Sequence, residues 1–383
     1  MAATPSPESR GNLSKAAQGA TPSADARRYA LLPSPFSLWG GGTLREARVG
    51  FEAWGELNPA KDNAILLFTG LSPPAHAASS AADPSEGWWE RMIGPGLAID
   101  TQRFFVICVN SLGSCFCSTG PASVDPQTGT AYRLAFPDLA VEDIARGGYE
   151  VARSLGIERP YAVIGPSLGG MVVLAYAAQF PRSARRLISI SGTAAASPFA
   201  IALRSIQREA VRGDPAWQNG NYAFAEPPRT GLRLARKLGT VTYRSAAEWR
   251  ERFGRQPIAA PLRRSGPFAF EFAVEGYLDA QADKFVRTFD ANCYLYLSRA
   301  MDRFDLGAHD SQALARCGLQ HALVIGVESD MLFAIEEQRS MAHKLESSGI
   351  PTRFAPLPCI EGHDSFLIDI ERFGAEIRRG LTD

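Results

Sequence analysis

Short apolar runs bounded by Gly, Pro, Asn or Asp recur along the chain, and helical periodicity fills several of the intervals between them. Apolar runs of this length are typical of strands buried in a parallel sheet. We predict strands at 48–54, 64–68, 104–109, 161–165, 187–190, 322–327 and 352–357. Helices are predicted at 138–155 and 171–178. This alternation predicts an α/β fold with a mostly parallel, doubly wound sheet.

The periodicity changes in the middle of the chain. From 197 to 310 the pattern is helical and polar-amphipathic, with almost no strand-like run. An insertion between the later strands of such a sheet commonly covers the functional site. We therefore predict a helical lid insertion at 197–310, with 29–196 and 311–383 forming the core.

The first 28 residues differ in composition from the rest. They are rich in Ala, Ser, Pro and Gly and lack the apolar stretch of a secretory signal, so we predict a disordered tail. An organelle transit peptide is the weaker alternative, because Glu8 and Asp25 are acidic. No run of about 18 apolar residues predicts a membrane span.

Charge and cysteine content narrow the class of function. The 40 basic and 40 acidic residues cancel, which argues against binding to nucleic acid or to an anionic membrane and favours small-molecule chemistry. The six cysteines match no paired zinc pattern, so we expect reduced thiols, a cytoplasmic protein and no metal. Cys115 and Cys117 could form a ligand or redox pair, but ordinary packing is the better interpretation.

The sequence Gly-Pro-Ser-Leu-Gly at 165–169 lies between a predicted strand and a predicted helix. A G-x-S-x-G element in that setting is the nucleophile elbow of an α/β-hydrolase, in which a tight turn projects the serine into a pocket. The same short pattern also arises by chance in loops. Its position after a strand and before a helix favours Ser167 as a nucleophile.

A serine nucleophile needs a base and an orienting carboxylate. Asp330 follows the strand at 322–327, and His363 follows the strand at 352–357, so the chain order is the Ser, Asp, His order of the α/β-hydrolases. Glu328 is an alternative acid two residues from Asp330. We expect structural roles for the remaining histidines of the later chain, namely His309, His321 and His343.

The loop after the strand at 64–68 normally supplies one N–H of the oxyanion hole in this fold, and the residue after the nucleophile supplies the other. We therefore predict that the backbone N–H groups of Leu71 and Leu168 form this hole. His76 ends the same loop. It could be a second base, but a packing or hydrogen-bonding role is the better interpretation.

Eight further segments carry a family resemblance, and they occur at 87–96, 100–101, 118–121, 235–239, 283–286, 289–296, 298–302 and 362–367. In this order they resemble the homoserine O-acetyltransferase family of α/β-hydrolase-fold acyltransferases, from about residue 45 to the end. The resemblance implies acyl transfer from acyl-CoA to the hydroxyl of a small amino acid through an acyl-serine. It also implies a homodimer without metal or redox cofactor.

The resemblance assigns roles to five residues. Ser167, Asp330 and His363 match the nucleophile, acid and base of the family. Arg236 and Asp364 match the two residues that bind the amino-acid substrate. Their charges suit that role, because a guanidinium can hold the α-carboxylate and a carboxylate can hold the ammonium. Without the family match, Arg236 would be interpreted as a solvated charge on a lid helix.

The chain departs from the family in one loop. Homoserine acetyltransferases carry a His-Ala-Leu-Thr-Gly-Asp-Ser-His type loop, where this chain has Ser72-Pro73-Pro74-Ala75 at the centre. Prolines fix φ and remove backbone donors, which reshapes the pocket wall. Sequences altered here resemble the serine O-succinyltransferase branch, so we expect L-serine as acceptor and succinyl-CoA as donor.

Three alternative functions remain open at this point. L-homoserine could be the acceptor, with acetyl-CoA or succinyl-CoA as the donor. A plain esterase would keep Ser167, Asp330 and His363 and need no amino-acid clamp. A non-catalytic binding protein on the same scaffold would be expected to lose one of these three residues, and none is lost.

Overall fold

A computed structural model describes residues 26–260 and 265–382 of the chain. Most of the predicted tail lies outside the described residues, and Arg28, its last residue, begins the first strand. The described strands are β1 (Arg28–Leu31), β2 (Phe36–Ser37), β3 (Thr43–Leu44), β4 (Arg48–Trp54), β5 (Ala64–Phe68), β6 (Ile93–Gly94), β7 (Ile99–Asp100), β8 (Phe105–Val109), β9 (Ala162–Pro166), β10 (Arg186–Ile190), β11 (His321–Val327) and β12 (Thr352–Leu357).

Helices alternate with the longer strands. The described α-helices are α1 (Val141–Ser154), α2 (Leu168–Gln179), α3 (Pro198–Arg212), α4 (Arg229–Thr242), α5 (Ala246–Phe253), α6 (Ala273–Val286), α7 (Ala291–Arg303), α8 (Ile335–Ser347), α9 (Ser365–Ile368) and α10 (Ile370–Thr382). Short 3-10 helices lie at Arg133–Ala135, Pro215–Gly220, Leu306–Ala308 and Gly362–Asp364.

Eight of the strands form the central sheet, in the order β1-β4-β8-β5-β9-β10-β11-β12. The six strands from β8 to β12 in this order run parallel to one another. At the other edge β4 runs antiparallel to β8, and β1 runs antiparallel to β4. The sheet is therefore mostly parallel with helices on its flanks, which confirms the predicted α/β-hydrolase fold.

Strand β5 shows why the fold has three layers, with helices packed on both faces of the sheet. All five of its residues are buried, but they belong to two different cores. Leu66 and Phe68 pack with α1 and α2, whereas Ile65 and Leu67 pack with α10 on the opposite face. Successive side chains of a strand point to opposite faces, so an unbroken apolar run is buried on both sides. Each such side chain contributes about 1.5–3 kcal/mol of burial free energy.

The predicted strands agree with the observed ones to within a residue or two, and the shorter strands were not predicted. Strand β1 is four residues long and mostly exposed, so its sequence has no apolar pattern. It exists because it pairs with β4, with Arg28 opposite Phe51. The two-residue pairs β2–β3 and β6–β7 likewise depend on pairing rather than on local pattern.

Helices α3 to α7 occupy the stretch between β10 and β11 where the insertion was predicted. Buried polar contacts join them: Arg204 of α3 pairs with Asp302 of α7, and Trp217 Nε1 donates to Asn292 Oδ1 at 2.9 Å. The stretch also contacts the core, since Tyr296 OH donates to the carbonyl of Phe136 at 2.7 Å. The role of this stretch as a lid stays a prediction. None of the helices within the described ranges is both long and apolar enough to cross a bilayer.

Candidate active site

Ser167 occupies the turn between β9 and α2, with φ +56° and ψ −118°. Left-handed φ values are rare for residues other than glycine and are typical of a strained functional turn. Two glycines allow the turn. A Cβ at Gly165 would lie 2.0 Å from the carbonyl oxygen of Gly169, and one at Gly169 would lie 2.4 Å from that of Phe68. The elbow thus depends on backbone contacts that any side chain would prevent.

The structure brings the three predicted catalytic side chains together. His363 Nε2 lies 2.8 Å from Ser167 Oγ, and His363 Nδ1 lies 2.8 Å from Asp330 Oδ2. The other carboxylate oxygen of Asp330 accepts hydrogen bonds from the backbone N–H groups of Leu332 and Phe333, both at 2.9 Å. Asp330 is buried, whereas the alternative acid Glu328 is exposed. These hydrogen bonds have the geometry of a catalytic triad, in which a serine nucleophile contacts a histidine base and a carboxylate orients that base.

The His363 imidazole lies in an aromatic enclosure. Its ring centroid is 5.2 Å from that of Phe333 and 5.9 Å from that of Tyr243. Burial alone lowers the pKa of His363, but the charge and hydrogen bond of Asp330 outweigh it and raise the pKa above its usual value. A raised pKa makes His363 a stronger base toward the Ser167 hydroxyl.

Ser329 connects the two loops that carry Asp330 and His363. Its Oγ donates to the carbonyl of Cys359 at 2.6 Å and accepts from the N–H of Gly362 at 3.1 Å. Both loops follow parallel strands at the carboxyl edge of the sheet, where functional side chains converge in open α/β folds. Sequence reasoning missed Ser329, because a serine beside an acid has no distinctive local signal.

Leu71 and Leu168, the two predicted oxyanion-hole residues, both lie near Ser167. Leu168 is the first residue of α2, so its N–H has no partner within the helix, and Leu71 lines the same cavity as Ser167. The loop before Leu71 also runs close to the nucleophile, because a Cβ at Gly70 would lie 3.8 Å from Ser167 Cβ. The two N–H groups remain predicted donors.

His76 has a hydrogen-bonding role, as predicted. Its Nδ1 lies 2.8 Å from Glu52 Oε2 and its Nε2 lies 2.9 Å from the carbonyl oxygen of Ser85, so both nitrogens face acceptors. The Glu52 hydrogen bond raises the pKa of His76 to about 9. The imidazolium and Glu52 thus fix the end of the loop that contains Ser72-Pro73-Pro74-Ala75.

This loop is also held from its other side. The indole N–H of Trp88 donates to the carbonyl of Pro74 at 3.1 Å, and Ala75 is buried. Pro73 lies close to Gly70, since its Cδ would be 3.8 Å from a Cβ at that glycine. The structure therefore places the predicted specificity loop next to the turn that precedes Leu71.

Arg236 and Asp364 both contact Tyr243. The Arg236 guanidinium carbon lies 5.7 Å from the Tyr243 ring centroid and 4.8 Å from that of Phe285, and its Nε is buried without a hydrogen-bond partner. The N–H of Asp364 donates to the carbonyl of Tyr243 at 3.1 Å. Within the described part of the chain, no carboxylate pairs with Arg236. A cation with an unused donor suits an incoming carboxylate.

A narrow cavity opens onto Ser167. Its lining residues are Leu71, Ser167, Leu203, Arg204, Gln207, Thr242, Tyr243, Tyr294, Met301 and Leu332. Sequence reasoning missed Arg204. This residue is buried, its Nε pairs with Asp302, and its two terminal nitrogens have no hydrogen-bond partner. From the sequence, Arg204 looks like one more charge on an amphipathic helix, and only the tertiary structure directs it to the cavity.

Some polar groups of the described residues could be mistaken for a metal centre. Donor atoms of Cys359, Glu361 and Asp369 lie within 4.8 Å of one another. However, Asp369 already pairs with Arg372 at 2.6 Å, and burial raises the pKa of the Cys359 thiol to about 12. A protonated thiol and a neutralised carboxylate are poor ligands.

The class of protein is defined by the mostly parallel sheet, by the nucleophile elbow and by the hydrogen bonds that join Ser167, His363 and Asp330. The chain matches the family model of the alpha/beta hydrolase fold over residues 63–355, and it belongs to that family. Esterase E22 is a structural neighbour with a TM-score of 0.82 and 30% identity, covering 93% of this chain and 99% of the esterase. The class therefore includes hydrolases.

Two further comparisons narrow the family. The homoserine O-acetyltransferase of Bacillus anthracis is a structural neighbour with a TM-score of 0.83 and 28% identity. The match covers 93% of this chain and 97% of the acetyltransferase. A protein named serine O-succinyltransferase from Litchfieldella anticariensis is 55% identical over 362 residues, which cover 94% of this chain and 99% of that protein. The chain belongs to this acyltransferase family, on its serine O-succinyltransferase branch, as the motifs predicted.

Proposed function

We propose that this protein is an acyl-CoA-dependent serine O-succinyltransferase, which converts succinyl-CoA and L-serine to O-succinyl-L-serine and CoA. The 55% identity with a relative of that name supports this assignment across nearly the whole chain. The geometry of Ser167, His363 and Asp330 supports a covalent route. An O-acylated serine is an activated intermediate, which is consistent with a place in cysteine biosynthesis.

Arg204 carries the proposal of a succinyl donor. A succinyl group ends in a carboxylate, which an acetyl group lacks. The two terminal nitrogens of Arg204 are buried, lack partners and belong to a residue that lines the same cavity as Ser167. Burial of unpaired guanidinium donors is costly, and a bidentate carboxylate would satisfy both. A cavity of this kind favours an acyl group with a terminal negative charge.

The acceptor is held, in this proposal, by Arg236 and Asp364. Arg236 binds the α-carboxylate of L-serine, and Asp364 binds its ammonium group. Both residues meet at Tyr243, which lines the cavity. The loop Ser72-Pro73-Pro74-Ala75 shapes the wall that brings the short serine hydroxyl to the acyl carbon. A methylene difference in a pocket is worth only about 1–3 kcal/mol, so positioning must separate serine from homoserine.

The reaction proceeds in two halves. His363 Nε2 takes the Ser167 proton as Oγ attacks the thioester carbon, and the N–H groups of Leu71 and Leu168 stabilise the oxyanion. Collapse breaks the C–S bond, and His363 returns the proton to the departing thiolate. His363 then takes the proton of the L-serine hydroxyl as that oxygen attacks the acyl-enzyme, and Ser167 leaves with the proton.

The proposal includes a cytoplasmic homodimer that uses no metal or redox cofactor, with succinyl-CoA as co-substrate. Large apolar side chains on α3 and α4 support a partner surface, since Phe199, Ile206 and Leu234 are each more than half exposed. Exposed apolar groups of this size are typical of interaction sites. Light scattering on the purified protein at several concentrations tests the oligomeric state.

One experiment tests the proposed activity. Purified enzyme is assayed by thiol release with succinyl-CoA or acetyl-CoA, each with L-serine, L-homoserine or no acceptor. We expect the highest kcat/KM for succinyl-CoA with L-serine. Ser167→Ala should reduce turnover by more than about a thousandfold, as is usual for a lost nucleophile. Equal CoA release without acceptor would indicate an esterase, and a preference for L-homoserine would indicate the methionine-pathway alternative.

A further inference from the structure

A short segment between α4 and α5 rests directly on the catalytic loop. The Tyr243 carbonyl accepts from the N–H of Asp364 at 3.1 Å, and Ser245 Oγ donates to the carbonyl of Ile360. Arg244 lies between these two contacts. The same chain continues backward into α4, which carries Arg236. The segment therefore ties the residue proposed to bind the acceptor carboxylate to the loop proposed to bind its ammonium.

Arg244 makes two ion pairs from a mostly buried position. Its Nε lies 3.3 Å from Asp364 Oδ2, and its Nη1 donates to Glu248 Oε1 at 2.9 Å. Arg252 also contacts Glu248, at 3.5 Å, from a more exposed position. Only one of these two arginines thus reaches Asp364, although both share Glu248.

We propose that Arg244 is a positioning residue that holds the Asp364 carboxylate in place for the ammonium group of the acceptor. This inference rests on the proposed function, because it takes Asp364 as the ammonium-binding residue. Arg244 contacts the Oδ2 oxygen of this carboxylate. The N–H bond to Tyr243 fixes the Asp364 backbone and Arg244 fixes its carboxylate, so the carboxylate keeps a single orientation, which preorganises the acceptor site.

The local charges determine whether Arg244 strengthens or weakens binding of the acceptor's ammonium group. A cation beside an ammonium site would weaken binding if it were not balanced. Glu248 pairs with both Arg244 and Arg252, so the side chains of these three residues and Asp364 carry no net charge together; Arg252, the most exposed of the four, does not reach Asp364, and Glu248 balances Arg244 beside it. The attraction for an ammonium group is retained, while the Asp364 carboxylate is fixed. Loss of Arg244 should therefore raise the KM for L-serine and leave the reaction with the acyl donor unaffected.

The test compares Arg244→Gln with Arg252→Gln, which disturbs the same Glu248 without reaching Asp364. Rapid mixing with succinyl-CoA in the absence of acceptor measures acylation as a burst of CoA, and steady-state assays give kcat and KM for L-serine. We expect R244Q to acylate within about twofold of wild type and to raise the KM for L-serine about threefold or more, because the lost contact is an ion pair rather than a hydrogen bond. R252Q should leave both quantities within about twofold.

Two further variants show whether Arg244 acts through Asp364. The double variant R244Q/D364N should be no worse than D364N alone, because interacting residues give non-additive losses. Losses that multiply, or equal effects of R244Q and R252Q, would overturn the inference. If R244Q fails to acylate, Arg244→Lys decides, since a lysine cannot span both carboxylates in the same geometry and should still raise the KM. An unchanged KM in R244K would then refute the inference.

Failure of the inference can be told apart from failure of the proposed function. A wild-type enzyme that does not acylate L-serine contradicts the proposed function itself. A wild-type enzyme that does so, with a KM for L-serine raised by D364N but not by R244Q, contradicts only the role of Arg244.

Discussion

Replacement of Arg204 by leucine should change the choice of acyl donor. The terminal nitrogens of Arg204 are buried and unpaired beside the Ser167 cavity, so in this proposal they bind the succinyl carboxylate. Loss of one partner from a buried charge-assisted contact costs about 2–5 kcal/mol. At about 1.4 kcal/mol per tenfold change, kcat/KM for succinyl-CoA should fall by about 30-fold to several thousandfold. Turnover of acetyl-CoA, which has no terminal carboxylate, should change far less.

A matched control separates donor binding from damage to the fold. Arg204 and Arg208 both pair with Asp302, Arg208 at 2.6 Å, but Arg208 is not among the residues that line the Ser167 cavity. Arg208→Leu therefore removes the same kind of ion pair without touching the proposed carboxylate site. If both variants lower succinyl-CoA and acetyl-CoA turnover equally, Asp302 is the cause and the reasoning fails. The ratio of the two kcat/KM values, measured by thiol release, is the deciding quantity.

Three further predictions concern Arg236, the loop at 72–75 and His76. Arg236→Ala should spare acylation of Ser167 and weaken apparent L-serine affinity by about 2–5 kcal/mol, measured by burst and steady-state kinetics; unchanged affinity would refute it. Replacing residues 72–75 by Thr-Gly-Asp-Ser should shift kcat/KM toward L-homoserine, and an unchanged ratio would exclude this loop as the determinant. The Glu52 hydrogen bond raises the pKa of His76 to about 9, so its stabilisation is complete below about pH 6.5 and is lost as pH rises through 9. The Tm advantage of wild type over His76→Gln should therefore shrink between about pH 7 and pH 10; a constant difference would contradict this.

Local pattern was sufficient for the scaffold and the three central side chains. Strands buried on both faces have uninterrupted apolar runs, and a tight strand-to-helix turn requires glycines, so the sheet and Ser167 could be predicted from neighbouring residues. Asp330 and His363 could be predicted because parallel strands end at one edge of the sheet, which brings the residues that follow them together.

The tertiary structure decided everything that depends on contacts between distant segments. It buried Asp330 and exposed Glu328, although the two residues are neighbours in sequence. It directed Arg204 into a cavity and Arg244 onto Asp364, although both look like ordinary surface charges in the sequence. The physical reason is that a charged side chain has the same sequence signature in solvent and in a pocket. What differs is the set of partners that the fold brings to it, such as Asp302 for Arg204 and Asp364 for Arg244, each distant in the sequence.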